Sequence, residues 1–205
     1  MKLNKKFAIG CVIVFVLVVL IAVAIFFGVI VNIRNNMTAK NVMVDQEWSQ
    51  VQNVYQRRLD LVPNLAEAAK AYLKLERDIF KSIADARAGI AAAKTPSQLD
   101  SATKEVNSFI RDFRVVVEDT PELKASETIK DLMNQLEGTE NRITVERQRF
   151  NESVGDYNTY IKMWPQSIIA SRYGFVPRDF FQAEAGAEIA PDIDLNIDET
   201  TTQGQ

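Results

Sequence analysis

Carboxylates and guanidinium groups carry whatever chemistry this chain can do, because the usual catalytic residue types are missing. Its 205 residues include no histidine, and the single cysteine, Cys11, sits inside an apolar run. That removes the commonest general base, the Ser-His and Cys-His pairs, and the histidine ligands of zinc and di-iron sites. No nucleophile elbow, phosphate-binding P-loop or dinucleotide fingerprint occurs either. Glu76 and Glu140 are the acids that a carboxylate-only mechanism, of the kind that hydrolyses glycosides, would use. Acids on charge-balanced helices are usually solvated or paired, and narrow bundles seldom form a substrate cleft. The residues therefore point to a protein that is not an enzyme, with no cofactor, no metal and no small-molecule substrate.

Two polar blocks are more informative. Tyr55 to Leu65 contains Arg57, Arg58, Asp60, Pro63 and Asn64, while Thr139 to Ile143 contains Glu140, Asn141 and Arg142. Pro63 removes a helical hydrogen bond and crowds the preceding turn, so Asp60 and Asn64 stand where they can satisfy the freed backbone groups. Arg57 or Arg58 should pair with an acid on a facing helix, and Glu140, near the apolar face of its own helix, is the natural partner. A buried Arg–Glu pair is weak evidence for stability but can fix helix register. The competing use is a docking surface formed by Arg57, Arg58 and Arg142. A second cluster is aromatic, with Tyr157, Tyr160, Trp164, Tyr173, Phe175, Phe180 and Phe181 inside twenty-five residues. It either plugs one end of a bundle or makes a membrane-interface or partner contact, as Trp and Tyr favour such boundaries.

The elements that must position these groups read as helices. Phe7 to Val31 is a run of twenty-five residues without a charge, preceded by Lys2, Lys5 and Lys6. At ~1.5 Å per residue such a run crosses a hydrocarbon core about 30 Å thick with some tilt. Three lysines before it, against Arg34 and Lys40 just after it, favour a cytoplasmic N-terminus and an extracytoplasmic domain in the plasma (inner) membrane. Ala22-Val23-Ala24 resembles a signal-peptidase site, but the apolar run continues to Val31, which favours an uncleaved signal anchor. Ala24 and Gly28 form a small-xxx-small pair, a spacing that lets two such helices approach closely as a homodimer.

Beyond the span a 3.6-residue period dominates. Trp48, Val51, Tyr55, Val62, Leu65, Ala69, Tyr72, Ile79, Ile83, Ala86 and Ile90 predict one helix from about Thr38 to Lys94, kinked or briefly broken near Leu61 to Asn64. Thr95-Pro96-Ser97-Gln98 is a capping box opening a second helix through Val116. Thr120-Pro121 opens a third, with Ile129, Leu132, Leu136, Ile143, Phe150, Val154, Tyr157 and Ile161 on one face, ending at Trp164-Pro165. A short helix from Gln166 to Arg172 should stop at Gly174. The fold class is all-α, an N-terminal transmembrane helix followed by an up-and-down bundle of long antiparallel helices. It counts as three long helices, or as four if Pro63 splits the first.

The predicted organisation is a stub at 1–6, a signal anchor at 7–31, a helical bundle at 32–181 and an acidic flexible tail at 182–205. That tail carries Glu184, Glu188, Asp192, Asp194, Asp198 and Glu199 with no Lys or Arg. The bundle itself is balanced, with 21 basic and 21 acidic residues by count, so nucleic-acid binding has little electrostatic support.

Asp45-Gln46-Glu47-Trp48-Ser49-Gln50-Val51, the Arg57-Arg58-Leu59-Asp60-Leu61-Val62-Pro63-Asn64-Leu65 block and Thr139-Glu140-Asn141-Arg142-Ile143 stand out beyond helix propensity. With Ala84-Asp85-Ala86-Arg87-Ala88, Phe150-Asn151, Tyr157-Asn158 and Tyr173-Gly174-Phe175, they resemble the LemA family of bacterial membrane proteins, from the anchor to about Phe181. The resemblance implies a LemA-like four-helix bundle on an N-terminal anchor and brings no active site. It also implies association with HtpX-type membrane proteases or TPM-domain envelope proteins, and, through one magnetosome member, with membrane invagination. The expected function is a non-catalytic scaffold, adaptor or self-assembling membrane-shaping element, with the bilayer and further copies of itself as partners. The other reading is a sensor or accessory subunit of a membrane protease or signalling complex.

Overall fold

The computed structural model describes residues 5–70 and 78–182. Six helices follow in chain order: α1 (Lys5–Ala69), α2 (Asp78–Ala92), α3 (Pro96–Asp119), α4 (Pro121–Ala125), α5 (Glu127–Lys162) and α6 (Gln166–Tyr173), with no strand among the described residues. Tyr72 and Glu76, and the acidic residues from Glu184 onward, lie outside the described residues.

α1 is one uninterrupted helix, about 97 Å long at 1.5 Å per residue, and it contains both the apolar run and the first helix of the bundle. The expected break at Leu61–Asn64 is absent, because Pro63 lies inside the helix. An interior proline costs about 3 kcal/mol, but here the flanking Val62, Leu65 and Ala66 are wholly buried, and packing outweighs that cost. The helix ends one to two turns later, at Ala69, where the Lys70 N–H turns back to the Glu67 carbonyl at 3.2 Å. The single helix expected over 38–94 is therefore two, α1 and α2.

α5 packs antiparallel along α1, and this pair is the most extensive contact in the bundle. The buried residues recur every seven positions. On α1 they are Met37, Val44, Val51, Arg58 and Leu65; on α5 they are Ile129, Leu136, Ile143, Phe150 and Tyr157. Cross-helix contacts show a residue-for-residue register, since Trp48 meets Phe150 and Arg58, ten residues on, meets Glu140, ten residues back.

α2 and α3 form a hairpin that rests on α1 through α2. Its turn is capped as the sequence predicts, with the Gln98 N–H donating to Thr95 Oγ1 at 3.4 Å. The Gln98 side chain accepts from the Lys94 N–H at 2.8 Å, one residue earlier than in a standard capping box. Gly89 lets the hairpin close, because a Cβ there would lie 2.6 Å from the Ala102 Cβ. Trp48 Nε1 and Gln52 Nε2 on α1 donate to the terminal carbonyls of α2, at Ala93 (3.2 Å) and Ile90 (2.6 Å). They thus satisfy groups that a helix end leaves without intrahelical partners.

Thr120-Pro121 opens only the five-residue α4, and a turn at Ser126 separates it from α5. α6 ends as predicted, with Gly174 in the left-handed conformation at φ 76°.

Candidate interaction site

Arg58 occupies a seam position otherwise filled by apolar side chains, and its Nη2 lies 2.6 Å from a Glu140 carboxylate oxygen. The Arg58 side chain is 10% exposed and Glu140 47%, so the pair reaches from the seam to solvent. Arg58 Nε is buried without a hydrogen-bond partner. Such a pair contributes little net stability, since desolvation offsets the attraction, but it resists any shift of α1 against α5 that leaves the guanidinium unpaired.

The pair forms part of the wall of an open groove of about 1150 Å³, bounded by α1, α3 and α5 and, at one end, by Phe181 and Gln182. Lys104 and Arg111 from α3 and Arg147 from α5 add positive charge, while Asp100 and Glu152 add negative charge. Tyr55 also lines it, and burial pushes its phenol above the ordinary 10.0, with Arg147 opposing the rise. The groove exists because α3 packs on α2 rather than on α5, leaving one corner of the bundle unfilled. Its side chains suit the binding of a polar or charged segment.

The remaining motif residues separate. Asp60 is not engaged with the backbone near Pro63, as expected from sequence, but pairs with Arg87 of α2 at 2.5 Å. The proline sits within an intact helix, and the carboxylate is better used on a facing cation. Pro63 is half-buried, and Asn64, Arg57, Asn141 and Arg142 are exposed. Arg57 and Arg142 are absent from the groove lining, so the three arginines Arg57, Arg58 and Arg142 do not form one surface there.

A strap built from residues 174–182 closes the other end of the α1–α5 pair, and sequence reasoning missed it. Asn158 and Asn151, seven apart on α5, each grip one strap residue through both backbone groups. Asn158 Nδ2 donates to the Arg178 carbonyl and its Oδ1 accepts from the Arg178 N–H, both at 2.8 Å. Asn151 treats Phe181 the same way, at 3.0 and 2.9 Å. The spacing is natural, because seven helical residues rise about 10.5 Å and three extended residues span about 10 Å. Arg178 then reaches α1, donating to Asn41 at 3.0 Å and pairing with Asp45 at 2.6 Å. Phe181 is buried against Trp48 and Phe150, with the Arg147 guanidinium 4.5 Å from its ring centre. The Tyr157 hydroxyl donates to the Val176 carbonyl at 3.0 Å, and burial raises its pKa while Arg178 opposes. The available signal was the repeat Phe150-Asn151 and Tyr157-Asn158, an aromatic–amide pair recurring after seven residues.

The aromatic cluster is thus divided. Tyr157 and Phe181 belong to the core and Phe175 packs against it, whereas Trp164 is 81% exposed.

A helical bundle carried on a long apolar helix, with a polar groove and no metal-ligating cluster among the described residues, is a membrane-associated helical protein. The chain belongs to the LemA family, whose model matches residues 47–195. It is similar to Magnetosome proteins MamQ 1 and MamQ 2 of Paramagnetospirillum magneticum, each 24% identical over 194 residues, covering 82% of this chain and 71% of theirs. Magnetosome protein MamQ of Magnetospirillum gryphiswaldense is 25% identical over 167 residues, covering 67% of this chain and 61% of that protein.

Proposed function

We propose that this protein is a non-catalytic, membrane-anchored scaffold or adaptor, with its N-terminus in the cytoplasm and its bundle outside the plasma membrane. The observation that carries this reading is the continuity of α1 from Lys5 to Ala69. One helix serves as both anchor and central bundle member, so the bundle stands at a set height above the bilayer. Surfaces held this way meet partners at high effective concentration, and weak contacts suffice. The groove walled by α3 and α5 is the docking surface, and a second copy or another envelope protein is the occupant. HtpX-type proteases and TPM-domain proteins are the partner classes to examine. An assembly role also accords with relatives named as magnetosome proteins.

The same continuity supports the second reading, an accessory or sensing subunit, because a helix shift in the bundle would be carried into the span. Photo-crosslinking in intact cells from Lys104 or Arg111, with exposed Asp131 as control, tests the proposal. Products from the groove positions alone, containing a second copy or a stoichiometric membrane protein, support it. Equal yields from groove and control positions, or none from the groove, contradict it.

A further inference from the structure

The end of the bundle nearest the anchor presents apolar side chains to solvent. Met163 is 51% exposed, Trp164 81% and Ile168 63%, all in the turn from α5 to α6 and the first turn of α6. Their level relative to the span follows from the α1–α5 register, in which each residue forward on α5 lies one residue back on α1. Lys162, the last residue of α5, is six residues beyond Asp156, which faces Lys40 at 3.8 Å, and this places it level with Arg34. Counting from the Arg58–Glu140 pair places it level with Asn36. The apolar run ends at Val31, so α5 stops roughly 4.5 to 7.5 Å beyond that end, and Trp164 follows two residues later in the turn.

Two further contacts agree with this height. Tyr173, at the end of α6, lies with its ring 5.1 Å from the Arg34 guanidinium. Ile33 and Met37 are already buried beneath the bundle, so it begins directly at the end of the span with no intervening linker. Lys162, Arg172 and Arg34, all exposed, flank the apolar edge with positive charge.

We propose that the edge formed by Met163, Trp164 and Ile168 is a second membrane contact, seated in the headgroup region of the bilayer that α1 crosses. Tryptophan is favoured at this depth, where its ring is buried and its N–H remains hydrated. The flanking cations face lipid phosphates. The occupant is the lipid surface rather than another protein, because the edge is level with the end of a span already in that bilayer. Two points of attachment fix the rotation and tilt of the bundle, which one helix alone leaves free.

The test uses the full chain reconstituted in phosphatidylcholine–phosphatidylglycerol vesicles whose acyl chains carry bromine at a shallow position, a quencher of tryptophan emission. The Trp164 signal is the difference between the unmodified chain and Trp164→Phe, an exposed substitution that leaves the core alone. Trp48 is the internal control, because it lies seventeen residues past Val31, roughly 25 Å above the span. The expected result is a blue-shifted Trp164 component that loses most of its intensity in brominated vesicles, while Trp48 emission is unchanged. An unquenched Trp164 component overturns the proposal. So does a blue shift without quenching that grows with the protein-to-lipid ratio, which would assign the edge to contacts between copies.

Discussion

The two ends of the bundle are held together by different chemistry. Near the anchor, α1 and α5 are tied by the strap, with amide clamps at Asn151 and Asn158 and the Arg178 contacts to Asn41 and Asp45. Farther from the anchor, the α2–α3 hairpin closes on itself by apolar packing around Gly89 and Ala102, and only its α2 side is tied to α1, through Trp48, Gln52 and the Asp60–Arg87 pair. Oriented hydrogen bonds specify one geometry at the membrane side. Less directional contacts let α3 stand off from α5, and the groove opens in the space between the two regimes. The Arg58–Glu140 pair sits at that boundary.

The largest expected effect comes from removing one half of the boundary pair. Glu140→Ala leaves a buried guanidinium unpaired and should cost about 2–4 kcal/mol, below the full value for a buried pair because Glu140 is half exposed. Arg58→Leu combined with Glu140→Ala should recover most of that loss by completing the apolar seam. Urea unfolding of the three variants checks this, and a double variant as weak as the single one would deny the seam position.

Asn158→Ala next leaves both the N–H and the carbonyl of Arg178 without their partner, at about 1–3 kcal/mol. Hydrogen exchange should quicken at the strap amides while α2 and α3 are unchanged. Uniform quickening through the molecule would mean that the two ends are not separate regimes.

Gly89→Ala places a Cβ against Ala102 and should cost about 1–2 kcal/mol after the gain in helix propensity, with Ala102→Gly restoring stability. Exchange here should quicken in the hairpin alone. The smallest effect is on pH. Tyr55 and Tyr157 have folded-state pKa values raised above 10.0, so their contribution is intact below pH 10.0 and is lost as pH rises through the folded values. Thermal scans of Tyr55→Phe should show a shallower alkaline decline than the parent, and an unchanged decline would contradict the raised value.

Much of the fold was legible because apolar periodicity is a direct record of burial. Val51, Tyr55, Val62, Leu65, Ile83 and Ile90 were expected on one stripe and are buried. The break near Leu61 was expected because Pro63 was weighed as a local penalty, whereas Val62, Leu65 and Ala66 lie wholly buried around it. The end at Ala69 was missed because the apolar period runs on through Ile79, Ile83, Ala86 and Ile90 as if one helix continued. An arginine of the Arg57-Arg58 pair facing Glu140 was readable from the block pattern, since Glu140 lies near the apolar face of its helix, but which of the two arginines faces it was not. The groove was not readable, because it depends on which neighbour α3 chooses. The strap escaped notice for another reason. Its bonds go from side chain to backbone, and a backbone partner leaves no complementary residue type to look for.

All of these contacts act on a bundle whose mounting is the central claim, that α1 continues without a joint from the span into the bundle. Spin labels at Phe27 and Val42, both exposed, with Cys11 replaced, measure this in the reconstituted protein. A continuous helix predicts one narrow backbone separation of about 22 Å across those fifteen residues, broadened only by the labels. A broad or much shorter distribution would place a hinge between span and bundle and contradict the account.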